Sequence, residues 1–367
     1  MIYLDNNATT PLDPLVFEEM RRIYMMGPLN PSSIHHLGKK AKEIILNSRD
    51  QIAGFFDVFP NELYFTSSST ESLSTVILGH VRAKNVRKIL STKIEHNAVD
   101  ALLKKLSLEG IQISYLPVGM EGSPSLESIE KALSPDLELV VLSSVYSETG
   151  AMIDIEGISE LLYKRNIPLI IDATAHIGKA PFVVHRGISA FTLSAHKFHG
   201  PQGIGLFFAR KNFPFHPLLI GGHQEMQRRA GTENVAGIVG LAKALDLIDP
   251  SHFSFMKGLK TVLLDSVSSL GSLNGRGEIV SNTFNMTFDT CDAETLMIRL
   301  DQKGVFVSMG SACSSGSIEP SRVLLEMGLQ RNEARSSLRF SVSRKNSLEE
   351  MQAAARLIRE ELCGCAL

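Results

Sequence analysis

Lys197 stands in "SAHKFHGPQGIG" (194–205), between His196 and His199 and just before a Gly/Pro-rich turn. An amine at the end of an apolar run, flanked by imidazoles, can lose its proton near neutral pH and form a Schiff base with a carbonyl. The ordinary alternative is a solvated lysine. Asp172 closes another apolar run, "IPLIID", where a carboxylate needs a partner: a cationic ring nitrogen, a ribose, or the N–H groups of the next turn. "TSSSTES" (66–72) follows "ELYF" and leads into a helical pattern. Ser67, Ser68, Ser69 and Thr70 therefore sit where free N–H groups and the helix dipole suit a phosphate, or where a helix simply wants a cap. His96, after "RKILSTKI", lies at a strand-to-helix junction, placed to stack on a planar ligand, to move a proton, or to bond the backbone. Cys313 lies in "GSACSSGS" (310–317), among residues too small to pack around a structural thiol. It is a nucleophile that must move or a small residue in a surface loop.

The elements that must position these groups are short apolar runs alternating with amphipathic stretches. "RKILST" (87–92), "LELVVLSSV" (137–145) and "IPLIIDAT" (167–174) are expected as buried strands, with helices at about 71–84, 96–107 and 156–165. That alternation predicts an α/β fold with a largely parallel sheet. The pattern in "GLAKALDLIDPSHF" (240–253) is expected to stop at Pro250, with a domain boundary near it and a smaller α+β unit beyond. Ligands of open α/β sheets bind beyond the carboxyl ends of the strands, and the chemically promising residues all follow strands. A phosphate cradle, a carboxylate, a lysine and a histidine together are the set that pyridoxal phosphate requires.

Of 367 residues, 44% are hydrophobic, enough for a large core, and 37 Lys+Arg nearly balance 39 Asp+Glu. No basic excess points to nucleic acid or a membrane surface. No apolar run approaches the roughly 18 residues of a membrane helix, and "MIYLDNNATTP" lacks the order of a signal peptide. Four cysteines in so long a chain fit a reducing, cytoplasmic setting. Cys291 follows a strand-like run and is expected to be structural. Cys363 and Cys365 are expected in a flexible tail. No His/Cys set has metal-ligand spacing, so no metal is expected. Gly203 and Gly205 lack the third glycine of a dinucleotide fingerprint.

Nine segments in one order carry a resemblance that runs nearly end to end: "YLDNNATTP" (3–11), "NPSSIHHLG" (30–38), "FTSSSTES" (65–72), "IEHNAV" (94–99), "IIDAT" (170–174), "SAHKFHGPQGIG", "RRAGTENV" (228–235), "GSACSSGSIEPS" (310–321) and "SSLRFSVSR" (336–344). In these the chain resembles the NifS/IscS-type cysteine desulfurases, fold-type I pyridoxal-phosphate enzymes of the class-V aminotransferase type. The resemblance implies a large cofactor-binding domain over 15–250, with a mostly parallel mixed sheet flanked by helices. It implies a smaller α+β domain from 1–14 and 251–367, with a mobile Cys loop at about 308–320.

It also implies roles. Lys197 would bind the cofactor as a Schiff base, Asp172 would pair with the pyridine nitrogen, and His96 would stack on the ring and shuttle protons. Ser69, Thr70, Ser194 and His196 would hold the phosphate. Thr232 would reach the phosphate of a second copy, so a homodimer is implied. Arg339 would clamp the carboxylate of L-cysteine, with Asn30 nearby, and Cys313 would take the sulfur as a persulfide, leaving alanine. A sulfur-acceptor protein such as an iron–sulfur scaffold would follow.

Three positions depart from the family pattern. Tyr146-Ser147-Glu148 stands where the family commonly has "NNE", and Ala175 where it has Gln, so both side-chain donors on the cofactor's 3-hydroxyl side are shortened or lost. His176, the next residue, or water is a substitute donor. Ser68 replaces a glycine, which matters only if the position needs positive φ. These departures keep two alternatives open: a related enzyme acting on selenocysteine or cysteine sulfinate, and a weakened paralogue that serves as a partner-binding protein.

Overall fold

The computed structural model describes residues 1–310 and 319–365. Its strands are β1 (Ile2–Tyr3), β2 (Leu63–Thr66), β3 (Lys88–Thr92), β4 (Gln112–Leu116), β5 (Leu139–Ser143), β6 (Leu169–Asp172), β7 (Ile188–Ser194), β8 (Gly205–Ala209), β9 (Ser272–Asn274), β10 (Thr283–Thr287), β11 (Val305–Phe306) and β12 (Ser337–Ser341). Seven form one mixed sheet in the order β2-β8-β7-β6-β5-β3-β4. The pairs from β4 through β7 are parallel, and β8 runs antiparallel to both β7 and β2. This is the α/β sheet that the alternation predicts. Its central strands read as unbroken apolar runs because both faces are covered: Val140 and Leu142 pack into one core, Leu139 and Val141 into another.

The expected helices form at Ser69–Lys84, Asn97–Leu108 and Ile155–Lys164. Each starts on a side chain that satisfies an amide of the first turn: Ser68, His96 and Asp154 respectively. Ser68 has φ −171°, extended backbone open to any residue, so the loss of glycine there carries no strain. Gly205 does have a steric reason. A Cβ on it would lie 2.5 Å from the carbonyl carbon of Ser68, and its absence lets β8 press against the loop after β2.

Beyond the large sheet, β12, β10 and β9 form an antiparallel sheet, and β1 pairs in parallel with β11. Leu4 joins residues from 256 to 362 in a third core. Pro250 does not end a helix, as expected from the pattern. The preceding helix closes at Asp246, and Pro250 opens the next, Pro250–Val267, behind its cap Asp249. Proline's missing N–H costs nothing at that position. Cys291 is buried in the third core. At Cys363 the chain continues the last helix, Leu348–Cys365, with Cys363 exposed.

A buried ion pair ties the helix His36–Phe56 to the segment before Thr232. Arg49 meets Glu225 at 2.6 Å, and Glu225 also accepts the amide of Phe65 at 2.9 Å. Glu225, Met226 and Gln227 are three consecutive residues with positive φ, a costly backbone that the pair helps to hold. Glu225→Ala leaves Arg49 buried without its counter-charge and is expected to cost about 3–5 kcal/mol. The check is the urea midpoint of unfolding, which falls at unchanged m-value.

Candidate active site

The sheet brings the chemically promising residues to one edge. Asp172 ends β6, Ser194 ends β7 and leads to Lys197, Thr92 ends β3 and leads to His96, and Thr66 ends β2 and leads to Ser69 and Thr70. These ends surround one cavity of about 230 Å³. Ser69, Thr70, His96, Asp172, Ser194 and Lys197 line it. So do Ser147, Ala175 and His196.

At one side the helix Ser69–Lys84 points its N-terminus at the cavity. Its first-turn amides have no intrahelical acceptors. That of Ser69 donates to Ser194 Oγ at 2.8 Å and that of Glu71 to Ser68 Oγ at 3.3 Å. Thr70 also lines the cavity. The Ser69 hydroxyl joins Thr174 Oγ1 at 2.6 Å and Thr192 Oγ1 at 2.9 Å. Burial and the nearby Lys197 and Lys179 push the His196 ring down to about 4, so it is neutral at physiological pH. Asp172 is buried, accepting from the Thr174 amide at 3.0 Å and standing 3.5 Å from Thr192 Oγ1.

Lys197 Nζ donates to the carbonyls of Asn7 at 2.6 Å and Ala8 at 2.9 Å, so the N-terminal segment folds over the lysine turn. His96 caps its own helix: Nδ1 accepts from the Ala98 amide at 3.1 Å. That bond leaves the proton of the neutral ring on Nε2.

Other expected site residues lie elsewhere. Arg339, on β12, is 1% exposed and pairs with Asp5 at 2.6 Å; it also donates to the Ser147 carbonyl at 3.3 Å, and its Nε has no partner. Asn30 is exposed in a turn, its Oδ1 accepting from the Ser32 amide at 2.9 Å. Thr232 is exposed and lines a separate hollow of about 120 Å³ with Ser67 and Arg229. Arg229 pairs with Glu71, in the first turn of the helix Ser69–Lys84, at 2.8 Å. Cys313 lies outside the described residues.

His176 does not replace the donor that Ala175 lacks. Its ring is 1% exposed, bonded through Nε2 to the Pro181 carbonyl at 3.0 Å and set edge-on to Phe182. It does not line the cavity, because it sits one residue further along a tight turn and faces the core. Burial lowers it to about 4, and His199, also buried, to about 4. Both folded-state values lie below the usual 6.5, so the unfolded chain binds the extra protons. Stability is therefore complete above about pH 6.5 and is lost as pH falls toward 4, by up to about 3 kcal/mol per pH unit for the two. Urea unfolding at pH 7, 6 and 5 checks the slope; a flat profile contradicts it.

The family model for class-V aminotransferases matches residues 2–354. A cysteine desulfurase of Nostoc sp. strain PCC 7120 is 37% identical over 354 residues, covering 94% of this chain and 88% of that one. This chain belongs to the cysteine desulfurases. Among solved structures, a NifS-like protein superposes with TM-score 0.93 at 34% identity, covering 99% of both chains. SspA, solved in complex with cysteine, superposes with TM-score 0.84 at 29% identity, covering 95% of this chain and 100% of its own.

The desulfurases of this family use pyridoxal phosphate, and the cavity fits that group. It is larger than the roughly 150 Å³ that accommodates a benzene ring. It sets a helix N-terminus and hydroxyls for an anion, a buried carboxylate for a ring cation, and an amine for an aldehyde around one space.

The motifs did not single out four groups of the site. Glu95 and Tyr146 line the cavity as a bonded pair, Glu95 Oε1 accepting from Tyr146 at 3.1 Å. Arg322 lines it too, donating to the Lys93 carbonyl and, at 2.9 Å, to the Glu95 carbonyl. Lys179 Nζ is buried with no hydrogen-bond partner, and burial, Lys197 and Arg339 hold it well below the usual lysine range. The adjacent Gly178 has φ +78°, and a Cβ on it would lie 2.7 Å from Phe198 Cβ, so this turn packs directly on the lysine turn. In sequence, Tyr146 stood out only as a departure from the family pattern, and Glu95, Lys179 and Arg322 carried no signal.

Proposed function

We propose that this chain removes sulfur from L-cysteine, releases L-alanine, and leaves the sulfur as a persulfide on Cys313 for transfer to an acceptor protein. The observation that carries the reading is the convergence of Lys197, Asp172 and His96 on one cavity beside a helix N-terminus. Pyridoxal phosphate, when bound, supplies an electron sink for charge at the substrate α-carbon.

The residues do the rest. Ser69, Thr70, Ser194 and the neutral His196 hold the phosphate. Asp172, buried and fixed by the Thr174 amide, holds the positive ring nitrogen. Lys197 would hold the cofactor at its aldehyde through Nζ and, as the amine on the cavity wall, would carry the proton to and from the substrate carbon. His96 stacks on the ring and donates from Nε2. Arg339 takes the substrate carboxylate in place of Asp5, a fork-to-fork exchange, with Asn30 supporting it. Ser147 and Ala175 leave the 3-hydroxyl side to water.

The Cys313 thiolate attacks the substrate sulfur. The C–S bond breaks, its electron pair passes to the carbon that becomes alanine's methyl, and a new S–S bond forms. The flanks of the Cys313 segment support this role. A Cβ on Gly310 would lie 3.2 Å from Glu148 Oε1, and Glu148 and Arg322 both line the cavity.

Thr232, exposed and outside the chain's own cavity, supports a homodimer in which it reaches the second copy's phosphate. The division into 15–250 and 1–14 with 251–367, the cytoplasmic setting and an iron–sulfur scaffold as acceptor belong to the same reading. Among the described residues no helix is long and apolar enough to cross a membrane.

The test is turnover of L-cysteine by the purified protein with added cofactor and a thiol reductant. Equal alanine and sulfide over many turnovers are expected. Cofactor binding without either product contradicts the activity.

A further inference from the structure

A second carboxyl stands beside Asp172 in the cavity wall. Glu95 is 1% exposed, and its Oε1 accepts from Thr92 Oγ1 at 2.8 Å and Tyr146 OH at 3.1 Å. Its Oε2 accepts from the amide of Ser143 at 2.9 Å and from that residue's Oγ at 2.6 Å. Ser143 ends β5 in register with Asp172 on β6. The two carboxyls are thus held at neighbouring strand ends on one edge of the sheet, and both line the cavity.

Of the four donors to Glu95, only the Ser143 amide is obliged to donate. The hydroxyls of Thr92, Ser143 and Tyr146 can each turn and accept. The cluster is therefore satisfied with Glu95 charged or neutral, unlike a buried carboxylate fixed by amides alone.

Two neighbouring carboxylates resist being charged together. Burial, with a smaller contribution from Asp172, pushes Glu95 up to about 7. The other charged and titratable groups around it are Tyr146, raised far above its usual range, the buried Glu148, His96 next in sequence, and Lys197 on the same cavity wall. Arg322 bonds the Glu95 carbonyl rather than its carboxyl and pairs with Asp100 at 3.3 Å.

We propose that Glu95, held by Tyr146, is a positioning residue: it keeps or releases a proton beside Asp172 and so sets how strongly Asp172 holds the cofactor's ring nitrogen. The proposal rests on the pyridoxal-phosphate reading of the cavity. On release the proton passes to solvent and the strand-end cluster gains one negative charge, which favours a cation at the ring nitrogen.

The experiment is a pH titration, from 5.5 to 9, of the visible absorption of the cofactor-loaded protein, without substrate, for wild type, E95Q and Y146F. Wild type is expected to show a step near neutral pH, and E95Q to lose it. Y146F removes a donor that favours the charged carboxylate, so its step moves to higher pH, by roughly half a unit to one unit. A step that persists unchanged in E95Q, a wild type with no step, or a Y146F step that stays put or moves down overturns the proposal. A wild type that binds no cofactor at any pH overturns instead the reading of the cavity.

Discussion

The K197A protein, supplied with excess pyridoxal phosphate, is expected to lack the visible absorption of the wild type and to release alanine from L-cysteine at least roughly 10³-fold more slowly. Lys197 is the amine on the cavity wall, at the end of β7, with Nζ on the carbonyls of Asn7 and Ala8. Its removal takes away both the attachment point and the group that carries the proton. The fold should survive, because the main chain of the turn is held independently: Thr10 donates to the His196 carbonyl from its amide and its hydroxyl, each at 2.9 Å. Absorption and activity fall together in this variant while the urea midpoint stays within about 1 kcal/mol of wild type. Retained absorption would mean that another amine, with Lys179 the buried neighbour to examine, holds the cofactor.

C313A is expected to do the opposite with the cofactor and the same with turnover. The absorption stays, since Lys197, Asp172 and His96 are unchanged, while sulfur transfer falls by roughly 10³-fold or more, as for other lost nucleophiles. C313S gives the same result, because a hydroxyl does not accept sulfur. C363A leaves both properties unchanged, as its exposed position on the last helix suggests. Sulfide release at the wild-type rate from C313A would make Cys313 a bystander.

The strand ends were the most legible part of the molecule. The runs "RKILST", "LELVVLSSV" and "IPLIIDAT" predicted β3, β5 and β6, and His96, Ser143 and Asp172, at or just beyond the ends of those strands, line the cavity, because a parallel sheet delivers all its carboxyl ends to one edge. Periodicity could not decide which side chain of a tight turn faces the ligand. Ala175 faces the cavity and His176 the core, a distinction made by packing against Phe182.

Nor could it show partners far apart in sequence. Arg339 with Asp5, Arg49 with Glu225 and Glu95 with Tyr146 each join segments that only the folded sheets bring together. Pro250 is a third kind of difference. Proline is compatible with a helix's first turn as well as with the end of the one before, and Asp249 as cap decided between them.

The measurement that tests the central claim most directly is the mass of the cofactor-loaded protein after one exposure to L-cysteine without reductant, followed by peptide mapping. The expected result is one added sulfur atom per chain on the peptide carrying Cys313, with one alanine released for each. Alanine released while that peptide keeps its original mass, or sulfur found only on Cys363 or Cys365, would contradict it.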